Sequence, residues 1–265
     1  MAHPILVLIP LSFAASTLVG GPVAVPPADK PSALHSYAVT AVTDDAASAA
    51  AACESLRASG PAGLDALLTE HRDVLARGAG DPRWPRVTAA IDRVAAQKDA
   101  YASRLYWYTD LTEAKAAARA SGRPILSLRM PGRLDKETGA RGGRSARAEL
   151  YSDPQVSALL RERFVLHWES GVTASRVTLD LGDGRKLEQA VPGDGVHFVL
   201  DADGRPLDAI PGAGAARMFR AQLAEDADLE RAVRGLTPAE RAARLLKHHA
   251  LRRGVLNEEW PAFMV

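Results

Sequence analysis

The sequence predicts an α/β core with helical additions at both ends. Apolar residues before position 105 recur with the i, i+3, i+4 spacing of helix faces. Two short runs, ILSLRM from Ile125 and FVLHW from Phe164, are mostly apolar and read as strands buried on both faces. Capped helices fall between and around those runs.

Composition bounds what such a chain can do. At 265 residues it can bury a sizeable core without disulfides or metal. The balance of 33 Lys+Arg against 32 Asp+Glu argues against a general nucleic-acid binder or a polybasic membrane protein. Arg outnumbers Lys 27 to 6 and Ala fills 50 positions, which reads as coding bias. The single cysteine, Cys53, excludes an internal disulfide, a four-cysteine zinc site and dithiol chemistry within one chain.

The apolar run Ile5–Val19 is too short to span a bilayer, and Pro10 interrupts it. Its length and small-residue exit near Ala14-Ala15-Ser16 fit a secretory signal, although no Lys or Arg precedes it. The expectation is a signal peptide and Pro-rich tether over 1–40, no transmembrane span, and a periplasmic or secreted bacterial protein; the alternative is cytoplasmic. A helical layer follows over 41–105. Asp44 and Asp45 cap an Ala-rich helix with Cys53 and Leu56 inside. Leu64, Leu67, Leu68, His71, Val74 and Leu75 line a second helix, with His71 as a hydrogen-bonded core residue. Asp81-Pro82 opens a third, whose stripe runs from Trp84 through Ile91 to Leu105.

The central segment is 106–224. Asp110 and Glu113 form a capping box for a helix over 111–121, which Gly122 ends before the first strand. A Gly-rich loop leads to a helix near 144–150, and Asp153-Pro154 opens another with Val156, Leu159 and Leu160 inside. Alternation at Val177, Leu179 and Leu181 with the turn Gly182-Asp183-Gly184 predicts a hairpin that extends or covers the sheet. A strand from Val196, a turn at Asp201–Gly204 and a helix over 215–223 close the segment. In the tail, 225–265, Thr237-Pro238-Ala239-Glu240 opens a helix expected to end at Gly254.

The order helix, strand, loop, helix, strand resembles the opening of a thioredoxin-like domain. The resemblance lies in Trp107, Asp110, Ala114-Lys115, Ala118 and Gly122-Arg123-Pro124-Ile125-Leu126, and in His197-Phe198-Val199-Leu200-Asp201-Ala202-Asp203-Gly204, similar to that family's closing hairpin. It implies a thioredoxin-like sheet. It does not imply the family's redox activity: Met130–Arg147, where the Cys-x-x-Cys pair belongs, has no cysteine, and Gly195 stands where a cis-proline normally precedes the next strand.

Other chemistry has little local signature. There is no Gly-x-Ser-x-Gly, phosphate loop or His-Glu-x-x-His. His167 and His197 fall on core strands as prospective neighbours, and His248-His249 lie on a basic helix with at least one side in solvent. No catalytic, metal or cofactor residue is assigned, and no cofactor is expected. From Arg129 to Arg147 six basic residues face two acidic ones, and Gly142-Gly143 lies near a helix start whose free amides favour anions. Arg141, Gly142, Gly143, Arg144 and Arg147 are therefore the candidate site for a small anion or an unknown protein partner, not nucleic acid. The leading expectation is a non-redox thioredoxin-like protein acting by binding or assembly. The alternative is an enzyme of another class holding an anionic substrate in loop 129–147.

Overall fold

The computed structural model describes residues 31–136, 146–170, 176–180, 186–190, 195–211 and 215–263. The expected signal segment lies outside them. The architecture is mixed α/β, with no described helix long and apolar enough to cross a membrane.

Six helices precede the sheet: α1 Pro31–Thr40, α2 Ala46–Ala58, α3 Pro61–Glu70, α4 Arg72–Arg77, α5 Trp84–Ala95 and α6 Ala100–Ser103. Leu56, Leu64, Leu67, Val74, Val87 and Ile91 form their shared core with Cys53, whose thiol pKa is raised by burial. Three expectations change here. Residues 31–40 are a helix rather than tether, because Ala38 and Ala41 bury against α2 and α3. The second expected helix is two, broken at His71, whose Nε2 meets the Ala38 carbonyl at 3.0 Å. The third stops at Ala95, ten residues short of Leu105, because Ala96 turns left-handed (φ 52°). That turn points Gln97 inward, where it accepts from Trp107 Nε1 (2.7 Å) and donates to Ser103 Oγ (2.8 Å).

The sheet comprises β1 Trp107–Tyr108, β2 Ile125–Met130, β3 Val165–Ser170, β6 Val196–Leu200 and β7 Pro206–Pro211, in the order β1-β3-β2-β6-β7. β1, β3 and β2 are parallel; β6 and β7 add antiparallel. Between them β4 Arg176–Asp180 and β5 Lys186–Ala190 pair only with each other among the described residues, so the hairpin does not extend the sheet. Helix α7, Leu111–Ser121, starts on the Asp110 carboxylate, which accepts from the Thr112 and Glu113 amides. Its Ala114 and Ala118 cover Ile125, Val165 and Leu200 on one face. The other face, with Leu126, Leu128 and Leu166, is covered by a π-helical turn Ala146–Tyr151, α8 Pro154–Arg163 and α9 Ala216–Val233. α9 is one continuous helix, with Leu229 and Val233 extending its buried face. The last helix, α10, runs Pro238–Phe263, past Gly254.

Candidate functional site

The sheet end after β2 is where the expected loop site begins. Leu134 is fully buried, and its carbonyl accepts from the Lys98 amide (3.0 Å) and from Arg147 Nη1 (3.1 Å). Trp168 Nε1 donates to Ala96 O at 2.8 Å. The helical layer thus closes over this end of the sheet. Arg141, Gly142, Gly143 and Arg144 lie outside the described residues. Arg147 is nine-tenths buried and ties the π-helical turn to Leu134 rather than pointing to solvent. Arg133 holds Asp135 with two bonds of 2.8 and 2.7 Å, and Arg129 lies 3.4 Å from Glu169. Gly195, before β6, approaches β2 so closely that a Cβ would stand 2.9 Å from Leu128 Cδ1 and 3.1 Å from Arg129 O.

The buried histidines are not neighbours. β2 separates their strands, and their side chains sit on opposite faces of the sheet, opposite Ser127 and Leu128 respectively. His167 Nδ1 meets Ser127 Oγ at 2.9 Å, and His197 Nε2 meets Tyr151 OH at 2.7 Å. Burial lowers both imidazole pKa values, that of His197 to about 4, and raises that of the Tyr151 phenol. Each pair fills core space without opening to solvent, although His197 Nδ1 is left without a hydrogen-bond partner.

A cleft of about 130 Å³ opens between the helical layer and the sheet edge. Arg104, Arg123 and Arg161 rim it, Tyr106 and Tyr108 form a wall, and Leu64, Leu160 and Phe164 lie beneath. A shallower depression of about 580 Å³ continues it along α3 and α4, sharing Asp65, Arg104 and Arg161 and adding Arg72. Two arginines are positioned by backbone: Arg161 Nη1 donates to Ser103 O (2.6 Å) and Arg123 Nη1 to Arg161 O (2.8 Å). Arg104 sits in the left-handed region at φ 56°, a strained conformation for a residue with a side chain. Burial, then the facing Arg104 guanidinium, lowers the Arg161 pKa. Tyr106 is pushed up to about 12 by burial and stays a neutral donor, its hydroxyl bonded to Arg57 O at 2.8 Å. Four arginines and one carboxylate, Asp65, thus line the two depressions, with Glu162 a further acidic neighbour of Arg161. Sequence reasoning missed this cleft because positions 72, 104, 123 and 161 have no local spacing in common.

The tail brings together residues the sequence leaves apart. Asp208 on β7 meets His248 and His249 on α10, and among the described residues these three form a group close enough to share a metal ion. Behind them lies the fully buried Asp226 of α9, whose two oxygens have no hydrogen-bond partner. Burial, then the neighbouring Asp208 carboxylate, raises its pKa strongly. His248 is one-fifth exposed and His249 nearly half, so the pair keeps one side in solvent while the other meets Asp208.

No family model matches this chain, and no curated protein is significantly similar to it.

Proposed function

We propose that this chain is a non-redox, thioredoxin-like protein that acts by binding, and that the arginine-rimmed cleft takes an anionic group of its ligand. The parallel β1-β3-β2 unit followed by the antiparallel β6–β7 pair supports the resemblance in Trp107–Leu126 and His197–Leu207. The non-redox reading rests on the single cysteine, Cys53, which is buried in the core of the helical layer and cannot form an internal disulfide. The observation that carries the binding reading is the convergence of Arg104, Arg123 and Arg161 over an apolar floor. Guanidiniums held close with too few counter-charges are stabilised by an anion that bridges them.

The cleft volume suits a phosphate or carboxylate on a short apolar stem. A charge-assisted bond is worth about 1.5–3 kcal/mol, so two such bonds support binding near the millimolar range, weakened by salt. Thermal unfolding with phosphate, sulfate and citrate tests this. The parent midpoint should rise with each anion, and Arg104→Ser/Arg161→Ser should remove most of the rise. Equal rises in parent and variant would remove the cleft from consideration. Insulin reduction should stay at background in both the parent and Cys53→Ser.

A further inference from the structure

Around Asp208 the buried side chains leave three polar atoms unpartnered: both Asp226 oxygens and His248 Nε2. His249 Nε2 lies 3.0 Å from Leu207 O, and a carbonyl only accepts, so this nitrogen carries the proton. The ring's Nδ1 faces Asp208 Oδ1 at 3.9 Å, beyond hydrogen-bond distance. His248 Nε2 has no hydrogen-bond partner and lies 3.5 Å from Asp208 Oδ2 and 4.0 Å from Asp226 Oδ1. Arg252 pairs with Asp208 and stands 3.6 Å from Asp226 Oδ1. Arg244 and Lys247, with Glu225 and Asp228, line the same α9–α10 groove as His248.

We propose that Asp208, His248 and His249, with Asp226 behind them, bind one divalent ion of the zinc class that fastens α10 to β7 and α9. Two imidazoles with carboxylates are a ligand set that zinc accepts. Tetrahedral zinc with bonds near 2.1 Å places its donors roughly 3.4 Å apart. His248 and His249 stand 3.5 and 3.9 Å from the two Asp208 oxygens and all three donors lie within 4.8 Å of one another, so binding one ion draws the widest pair in by up to about 1.4 Å. The Leu207 carbonyl on His249 orients that ring, as outer hydrogen bonds orient metal-bound histidines. The groove between α9 and α10, which His248 lines, gives the ion a way in. A clasp there has mechanical sense. Leu246 and Leu251 are 73 % and 65 % exposed, so α10 is held less by apolar burial than by polar contacts, including Arg241 to Asp201 at 3.1 Å.

The test strips the full chain with a chelator and titrates it with Co²⁺, then Zn²⁺. One equivalent of Co²⁺ should bind with the visible absorption of a four-coordinate site, Zn²⁺ should displace it, and the thermal midpoint should rise. His248→Ala/His249→Ala should weaken binding by about tenfold or more. Asp208→Asn keeps the oxygen that accepts from the Ala209 amide and should weaken binding similarly. It decides the matter alone if the double variant fails to fold. Absence of a bound equivalent in the stripped parent, or parent-like binding in a folded variant, overturns the proposal.

Discussion

His197 is 1 % exposed, and burial holds its pKa near 4 instead of the ordinary 6.5. Between those values the unfolded chain takes up a proton that the folded chain refuses. Stability should be full above roughly pH 6.5 and fall on the order of 3 kcal/mol as pH drops toward 4. His167, lowered by burial as well, adds to the same slope. Urea midpoints across this window should fall with pH in the parent and fall less in His197→Gln; parallel curves would mean another group is responsible. Gln97 makes a different kind of contribution. It is 1 % exposed and is the partner of the buried Trp107 indole. Gln97→Ala leaves that N–H unpaired beside a cavity and should cost roughly 2–4 kcal/mol in denaturant titration. A loss below the uncertainty of that titration would show that water replaces the amide.

At the scale of elements, helix starts are the most local features and depend least on the rest of the fold. The Asp110 carboxylate accepts from two amides, and these bonds lower its pKa. Asp110→Ala should destabilise the chain by about 1 kcal/mol, measured as a shifted urea midpoint with an unchanged slope. The same locality made the starts of α7, α8 and α10 legible in the sequence: Asp110, Asp153 and Thr237 each bond amides two or three residues ahead. The interruptions were not legible, because their causes lie far along the chain. α5 ends at Ala95 as Gln97 turns to Trp107, and the break at His71 meets a carbonyl of α1. α1 itself has little apolar periodicity to read, since its packing rests largely on small residues such as Ala38.

For the whole molecule, the α/β order and the two strands buried on both faces could be read because both follow from patterns within a few residues. The cleft could not. Arg104 comes from a strained turn, Arg123 from the loop before β2 and Arg161 from the last turn of α8, and only the packing of helical layer against sheet edge brings them together. Asp208 and His248 are likewise forty residues apart and meet only because α10 folds back across β7. The cleft at the sheet edge is therefore a property of the packed molecule, and the proposed function assigns it to an anion. Nitrogen-15 NMR of the arginine Nε–H groups during a phosphate titration tests this account most directly. The resonances of Arg104, Arg123 and Arg161 should move together and saturate, while Arg93, paired with Glu54 elsewhere on the surface, stays in place. Uniform small shifts of all four, scaling only with ionic strength, would contradict a binding site in the cleft.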